Sequence, residues 1–218
     1  MSRERVIEMF PKALGVYRWD NTDGHKQLKE AVREKMKTKE IDGSPVSKDI
    51  FHFWNKSGEN FLDEDAPIIK DFEKFLGESY LDFMKDVNKW DVVDEYIITD
   101  CWVNVTRQGG WQYKHSHANC VISGTYYLNF PVGATGITFH AQTKEKSDPY
   151  LALNPKDICQ FNSESLTMMP EEGILFLWPS QLTHECKILT TNVRRVSISM
   201  NFVPAELDTG IYRLRLSR

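Results

Sequence analysis

The sequence is short of several things that would have decided its class early. No apolar run is long enough to cross a bilayer. The opening MSRERVIEMF carries charges where a secretory leader would carry a continuous apolar stretch, so neither an anchor nor a signal peptide is expected. Four cysteines, Cys101, Cys120, Cys159 and Cys186, are scattered without a CxxC, which argues against a zinc knuckle or a disulfide framework and for reduced thiols in a cytoplasmic compartment. There is no surplus of basic charge: 27 Lys+Arg against 31 Asp+Glu leave −4, so a protein built to coat nucleic acid is not expected. The Gly109-Gly110 pair is followed by no Lys-Ser/Thr and reads as a turn rather than a phosphate loop. Internal repeats and low-complexity tracts are absent too.

What is present is an ordinary globular composition, 41% hydrophobic and 27% charged over 218 residues, long enough to bury a sizeable core. The texture changes once. Residues 1–90 read as mainly helical after a short strand near Ala13–Arg18. HKQLKEAVREKMKTKE places Leu28, Val32 and Met36 at four-residue spacing. The stretch beginning DAPIIKDF puts Pro67 at a helix start, with Ile68, Ile69, Phe72, Phe75 and Leu76 on one stripe. Phe51, Phe53, Trp54 and Phe61 between them read as core. Residues 95–203 are short β-branched or aromatic runs separated by Gly, Pro and Asn, the pattern of a sandwich, jelly roll or barrel. No compositional linker divides the two regions, so the chain, 1–218, reads as one domain: helices supporting a β core.

Chemistry concentrates in that second region. WQYKHSHANC holds His115 and His117, which an extended backbone would point the same way. Imidazole suits iron, zinc, copper and nickel, and two of them form one edge of a facial site. The third ligand must come from elsewhere. His184 opens HECKIL after a strand ending in Pro179 and a turn, which sets it at the mouth of a barrel. In RRVSISMNF, Arg195, Ser197, Ser199 and Asn201 share one face. An inward Arg with serines is costly unless an anion binds there, and a guanidinium holds a carboxylate through two parallel hydrogen bonds. A turn between paired antiparallel strands would bring His184 and Arg195 side by side; Arg194, of opposite parity, should face outward.

This ordered set, His115-x-His117, SGTYYLNFP, LFLWPSQLTHE and RRVSISMNF, resembles the 2-oxoglutarate- and Fe(II)-dependent oxygenases. More narrowly it is similar to a group of small members with His-x-His in place of His-x-Asp, over roughly residues 100–203; WVNV at 102–105 and MFPKALGVY also fit. The resemblance implies a double-stranded β-helix, a mainly β jelly roll of cupin type with supporting helices. It implies Fe(II) on His115, His117 and His184, and 2-oxoglutarate anchored by Arg195 and Ser197, with Tyr126, Tyr127 and Asn104 as further cofactor-pocket candidates. The catalytic set would then be His115, His117, His184 and Arg195. Histidine at 117 removes a ligand charge, and the residues leave two arrangements open: three neutral ligands, or one of His115 and His117 with water beside it.

The implied reaction is a hydroxylation that uses O2 and 2-oxoglutarate on an unidentified substrate, a small molecule or a protein side chain. Two other classes compete: a cupin-like three-histidine dioxygenase that uses Arg195 on a substrate carboxylate without 2-oxoglutarate, and a non-catalytic β-barrel binding module. Lesser residues read blandly. His25, His52 and His140 are structural or exposed, Trp102 and Trp178 pack, Cys186 shares the parity of His184, and Lys144 and Lys146 mark a loop that could cover the substrate.

Overall fold

The computed structural model describes residues 5, 11–43, 47–141, 156–159 and 162–217. Lys144 and Lys146, with Met9 and Phe10 of the MFPKALGVY stretch, lie outside them. In chain order the elements that matter here are β1 (Gly15–Arg18), α1 (Thr22–Lys35), β2 (Ser47–Phe53), α2 (Pro67–Asp82), β3 (Tyr96–His115), β4 (Ile122–Asn129), β5 (Ile137–His140), β6 (Ser165–Met168), β7 (Ile174–Pro179), β8 (His184–Cys186) and β9 (Arg195–Pro204).

The two helices form where the sequence places them. Asn21 caps α1, its side chain accepting from the Gly24 amide at 2.8 Å, and Leu28 and Val32 are the buried stripe. Pro67 opens α2, where its missing N–H costs nothing, and Ile69, Phe72, Leu76 and Tyr80 recur at helical spacing on the buried face. Both stripes pack on one face of the sheet, against Tyr126, Leu175, Leu177, Ile198, Met200 and Phe202. Tyr80 stacks on Phe202 with ring centroids 4.9 Å apart and planes 8° from parallel.

The strands form one nine-stranded antiparallel sheet, ordered β1-β7-β4-β9-β3-β8-β5-β6, with β2 also paired to β3. Its curl comes from β3, twenty residues long. The first half of β3 pairs with β9, from Tyr96↔Pro204 to Thr106↔Arg195, and its end pairs with β8 through Gln112↔Cys186 and His115↔His184. One strand thus belongs to two faces of a jelly roll and leaves a space between them. A second cluster, Tyr127, Ile137, Phe139, Ile174, Phe176 and Trp178, fills one part of that interior.

Three expectations need correcting. The region up to residue 90 is not helical throughout: β2 runs along β3, because SKDIFHF buries Ile50 and His52 against it. Gly109-Gly110 is no turn but part of β3. Gly109 takes φ +87° opposite Asp49 at φ 51°, at the irregularity where β2 shifts register between Lys48 and Ile50. A Cβ on Gly110 would meet the Asp49 carbonyl oxygen at 2.7 Å, so the pair is there for the close approach of two strands. Finally, β8 and β9 do not pair with each other. Each pairs with β3, so the His184 and Arg195 strands are joined through it rather than side by side.

Candidate metal centre

His115 closes β3, His117 follows in the next loop and His184 opens β8. Direct cross-strand pairing of His115 with His184 brings their ring centroids to 4.3 Å, and His117 sits 5.2 Å and 5.3 Å from the other two. The loop at His117 is held by its own backbone N–H, which donates to the Ser180 carbonyl at 3.0 Å. One ring nitrogen from each imidazole lies within 4.8 Å of the others.

The hydrogen bonds settle which nitrogen faces inward. His115 Nδ1–H donates to the Tyr113 carbonyl (2.8 Å) and His184 Nδ1–H to the Leu182 carbonyl (2.9 Å); a carbonyl can only accept. His117 Nδ1 meets Asn201 Oδ1 at 2.8 Å. The Asn201 amide is oriented by its other end, where Nδ2 faces Asp100 Oδ2 at 3.3 Å, so the oxygen faces His117 and Nδ1 carries the proton there too. Each neutral ring is then left with a bare Nε2 lone pair, and the outer bonds are those that fix metal-binding histidines.

Burial keeps these rings neutral. It depresses the pKa of His115, and of His117 and His184 with added repulsion from His115; His184, walled by Trp178 and Phe139, is pushed down to about 3. His52, buried between Ser47 and Asn104, is depressed likewise. A histidine whose folded pKa lies below its unfolded 6.5 adds stability that is complete above 6.5 and lost as pH falls toward the folded value. The metal-free protein should therefore melt at progressively lower temperature from pH 6.5 downward, and a melting series between pH 7.5 and 5 checks it; a flat series would mean these rings are open to water. Bound metal should make the decline steeper, since protons then compete with it.

Next to the imidazoles lies a cavity lined by Trp102, Asn104, Thr125, Tyr127, Cys186, Arg195, Ser197 and Ser199 among others. Arg195 is 3% exposed. Its Nη1 donates to the Thr135 carbonyl at 2.6 Å and its Nη2 to Thr106 Oγ1 at 3.0 Å, while Nε is buried without a partner. No carboxylate among the described residues pairs with it. Arg194 is exposed. Asn104 lines the cavity, bridging His52 Nδ1 (2.7 Å) and Ser199 Oγ (3.0 Å). Tyr127 also lines it, its pKa raised by burial, so its hydroxyl stays protonated.

Tyr126 is the site candidate that the fold sends elsewhere. Neighbours on a strand face opposite ways, and Tyr126 points to the helices: its hydroxyl meets His25 Nδ1 at 2.6 Å and its ring packs on Phe72. His25 is therefore structural. His140, paired with Glu185 at 3.0 Å, is likewise absent from the cavity lining. Sequence reasoning passed over Asp100, Thr106 and Gln112 and treated Trp102 as packing alone, although its ring stacks on His117 at 6.1 Å. The signal available was parity: Asp100, Trp102, Asn104 and Thr106 alternate along one strand and pair in turn with Asn201, Ser199, Ser197 and Arg195.

Comparison with known proteins agrees with this geometry. Residues 100–201 match a family model described as "Putative 2OG-Fe(II) oxygenase". No curated protein matches the chain in sequence. Among solved structures, a Pseudomonas putida prolyl-4-hydroxylase superposes with a TM-score of 0.59 at 14% identity, over 88% of this chain and 93% of that one. A Trichoplax adhaerens prolyl hydroxylase in complex with a peptide fragment gives 0.61 at 13%, over 88% and 83%. HygX from Streptomyces hygroscopicus, with nickel, 2-oxoglutarate and hygromycin B bound, gives 0.58 at 11%, over 88% and 83%. These likenesses show the jelly-roll fold, and the segment that matches the 2-oxoglutarate- and Fe(II)-dependent oxygenase model opens at Asp100 on β3 and closes at Asn201 on β9, taking in all three imidazoles and Arg195.

Proposed function

We propose that the protein is a hydroxylase that holds Fe(II) through Nε2 of His115, His117 and His184 and takes 2-oxoglutarate with its far carboxylate on Arg195 and Ser197. The observation that carries this is a buried guanidinium with no carboxylate partner among the described residues and its Nε left without a hydrogen bond, in the same cavity as three convergent imidazole lone pairs. Three neutral donors suit a divalent cation, and a buried cation with an unsatisfied N–H suits a carboxylate. A dicarboxylate keto acid has one end for each. Bound together, iron and 2-oxoglutarate supply oxidising power from O2, with succinate and carbon dioxide as by-products.

The chain's own part is placement. The Thr135 carbonyl and the Thr106 hydroxyl fix the plane of the Arg195 fork, leaving Nε free. Ser197 and the protonated Tyr127 hydroxyl offer donors along the same wall. Trp178, Phe139 and Ile137 keep water from the inner side of His184. A polar cleft lined by Trp54, Asn55, Lys56, Gln112 and Asn119 runs to His115 and His117, and the primary substrate would approach through it. Neighbours of this fold were solved with a peptide and with hygromycin B, so a protein side chain and a small metabolite both remain candidate substrates. Four scattered cysteines without a CxxC suit a reducing, cytoplasmic compartment.

Anaerobic addition of Fe(II) and then 2-oxoglutarate should give a visible charge-transfer band, and admitting O2 should convert 2-oxoglutarate to succinate. Iron bound with no band and no succinate would favour the three-histidine dioxygenase, with Arg195 on a substrate carboxylate. No metal bound would favour the binding module.

A further inference from the structure

The Asn201 side chain that orients His117 is itself oriented. Between Ile98 and Asp100 strand β3 carries a bulge: Ile98 pairs with Phe202, but Asp100, not Thr99, pairs with Asn201. The extra residue brings Asp100 onto the face shared with Trp102, Asn104 and Thr106, the face that lines the site. Asp100 Oδ2 gathers three neutral donors: Thr99 Oγ1 at 2.8 Å, Asn119 Nδ2 at 3.2 Å and Asn201 Nδ2 at 3.3 Å. No Lys or Arg among the described residues pairs with it. Ser123 Oγ donates to Asn201 Oδ1 at 3.0 Å, so both ends of the amide are held in one orientation. The chain of contacts runs carboxylate, amide, imidazole, lone pair.

A carboxylate beside three neutral ligands has a chemical meaning. Non-haem Fe(II) sites commonly bind the metal with two histidines and one carboxylate, so the metal's charge is partly balanced at the ligands. Three imidazoles supply no such balance. Resting on the metal reading above, we propose that Asp100 is a positioning residue for the iron site: by way of the Asn201 amide it fixes His117 with Nε2 inward, and it polarises that ring so that part of the missing negative charge reaches the metal from one residue further out. An amide aligned by a carboxylate accepts more strongly from His117 Nδ1–H, and a ring whose Nδ1–H is drawn toward an acceptor is the better donor at Nε2. His117 then acts as a ligand in its own right rather than giving place to water.

The test compares wild type with Asp100→Asn, Asp100→Glu, Asn201→Ala and the Asp100→Asn/Asn201→Ala double variant. It reads the dissociation constants for Fe(II) and Co(II) and the ferric/ferrous midpoint potential of the iron-loaded protein. Asp100→Asn preserves size and can still accept hydrogen bonds, yet it should weaken both metals by about 10–100-fold, the range seen when outer partners of metal-binding histidines are lost. Its potential should rise, because less negative charge favours the ferrous state. Asp100→Glu should recover part of both effects. The double variant should fall no further than Asn201→Ala alone, since the influence travels through that amide. If Asn201→Ala does not fold, the Asn and Glu variants at position 100 decide alone. Unchanged affinity and potential in Asp100→Asn overturn the proposal while leaving the metal site standing, as does a Glu variant no better than Asn. A double variant that is fully additive overturns the route through Asn201. A wild type that takes up neither metal overturns the metal reading and this inference with it.

Discussion

Alanine at position 184 should leave a protein that no longer retains iron. His184 is the most enclosed of the three imidazoles, 5% exposed, with Trp178 on one side at 5.0 Å and Phe139 beyond. It is also the cross-strand partner of His115, so the two rings are set by the β3–β8 ladder and not by a loop. Its removal deletes one of three donors and leaves an apolar recess that cannot substitute for it. Changing an outer partner of a metal-binding histidine costs about 10–100-fold in affinity, and losing the ligand itself should exceed that. The metal-free variant should stay folded, because burying an uncharged imidazole contributes less than the aromatic packing around it. Iron content after reconstitution, with a thermal melt of the metal-free protein as control, reads the result. Full iron retention by a folded His184→Ala protein would remove His184 from the site.

Much of this centre was legible in the chain, for a simple reason: strands write their faces into alternate residues. RRVSISMNF separates Arg195, Ser197, Ser199 and Asn201 on the site face from Val196, Ile198, Met200 and Phe202 on the helix-covered face, and the fold keeps that division. His115, His117 and His184 could be grouped because their order is that of a family whose match here spans residues 100–201. Pairing was harder to read. Parity says which way a side chain points but not which strand lies beside it, so β8 and β9, adjacent in sequence, were expected together although β3 lies between them. Irregularities were harder still. The bulge before Asp100 and the close approach at Gly109-Gly110 are decided by the partner strand, and a glycine pair reads as a turn from sequence alone. Tyr126 and Tyr127 show the limit of residue type: both are tyrosines on one strand, and only the register to Ile198 and Ser197 assigns the first to the helices and the second to the cavity.

Arg195→Ala should lower 2-oxoglutarate affinity more than any other single change in the cavity wall. Arg195 is buried, spends two of its donors on Thr135 and Thr106, and keeps Nε without a partner. Truncating one partner of a buried, hydrogen-bonded charge pair costs about 2–5 kcal/mol. At about 1.4 kcal/mol per tenfold, that is roughly 30- to several-thousand-fold in the dissociation constant. Arg195→Lys keeps a cation but not the planar fork; a single ammonium cannot reach Thr135, Thr106 and a carboxylate in one geometry, so it should recover only part of the loss. Arg194→Ala is the internal control. Arg194 carries the same charge but is itself exposed and does not line the cavity, so its loss should change affinity little. Anaerobic titration of the three iron-loaded variants with 2-oxoglutarate, following the charge-transfer band, separates these outcomes. Damage from Arg194→Ala but not Arg195→Ala would mean that the inward face of β9 is the other one. Iron-dependent turnover indifferent to both would mean that the carboxylate held by this wall is not that of 2-oxoglutarate, and the three imidazoles would then serve a substrate that binds the metal directly.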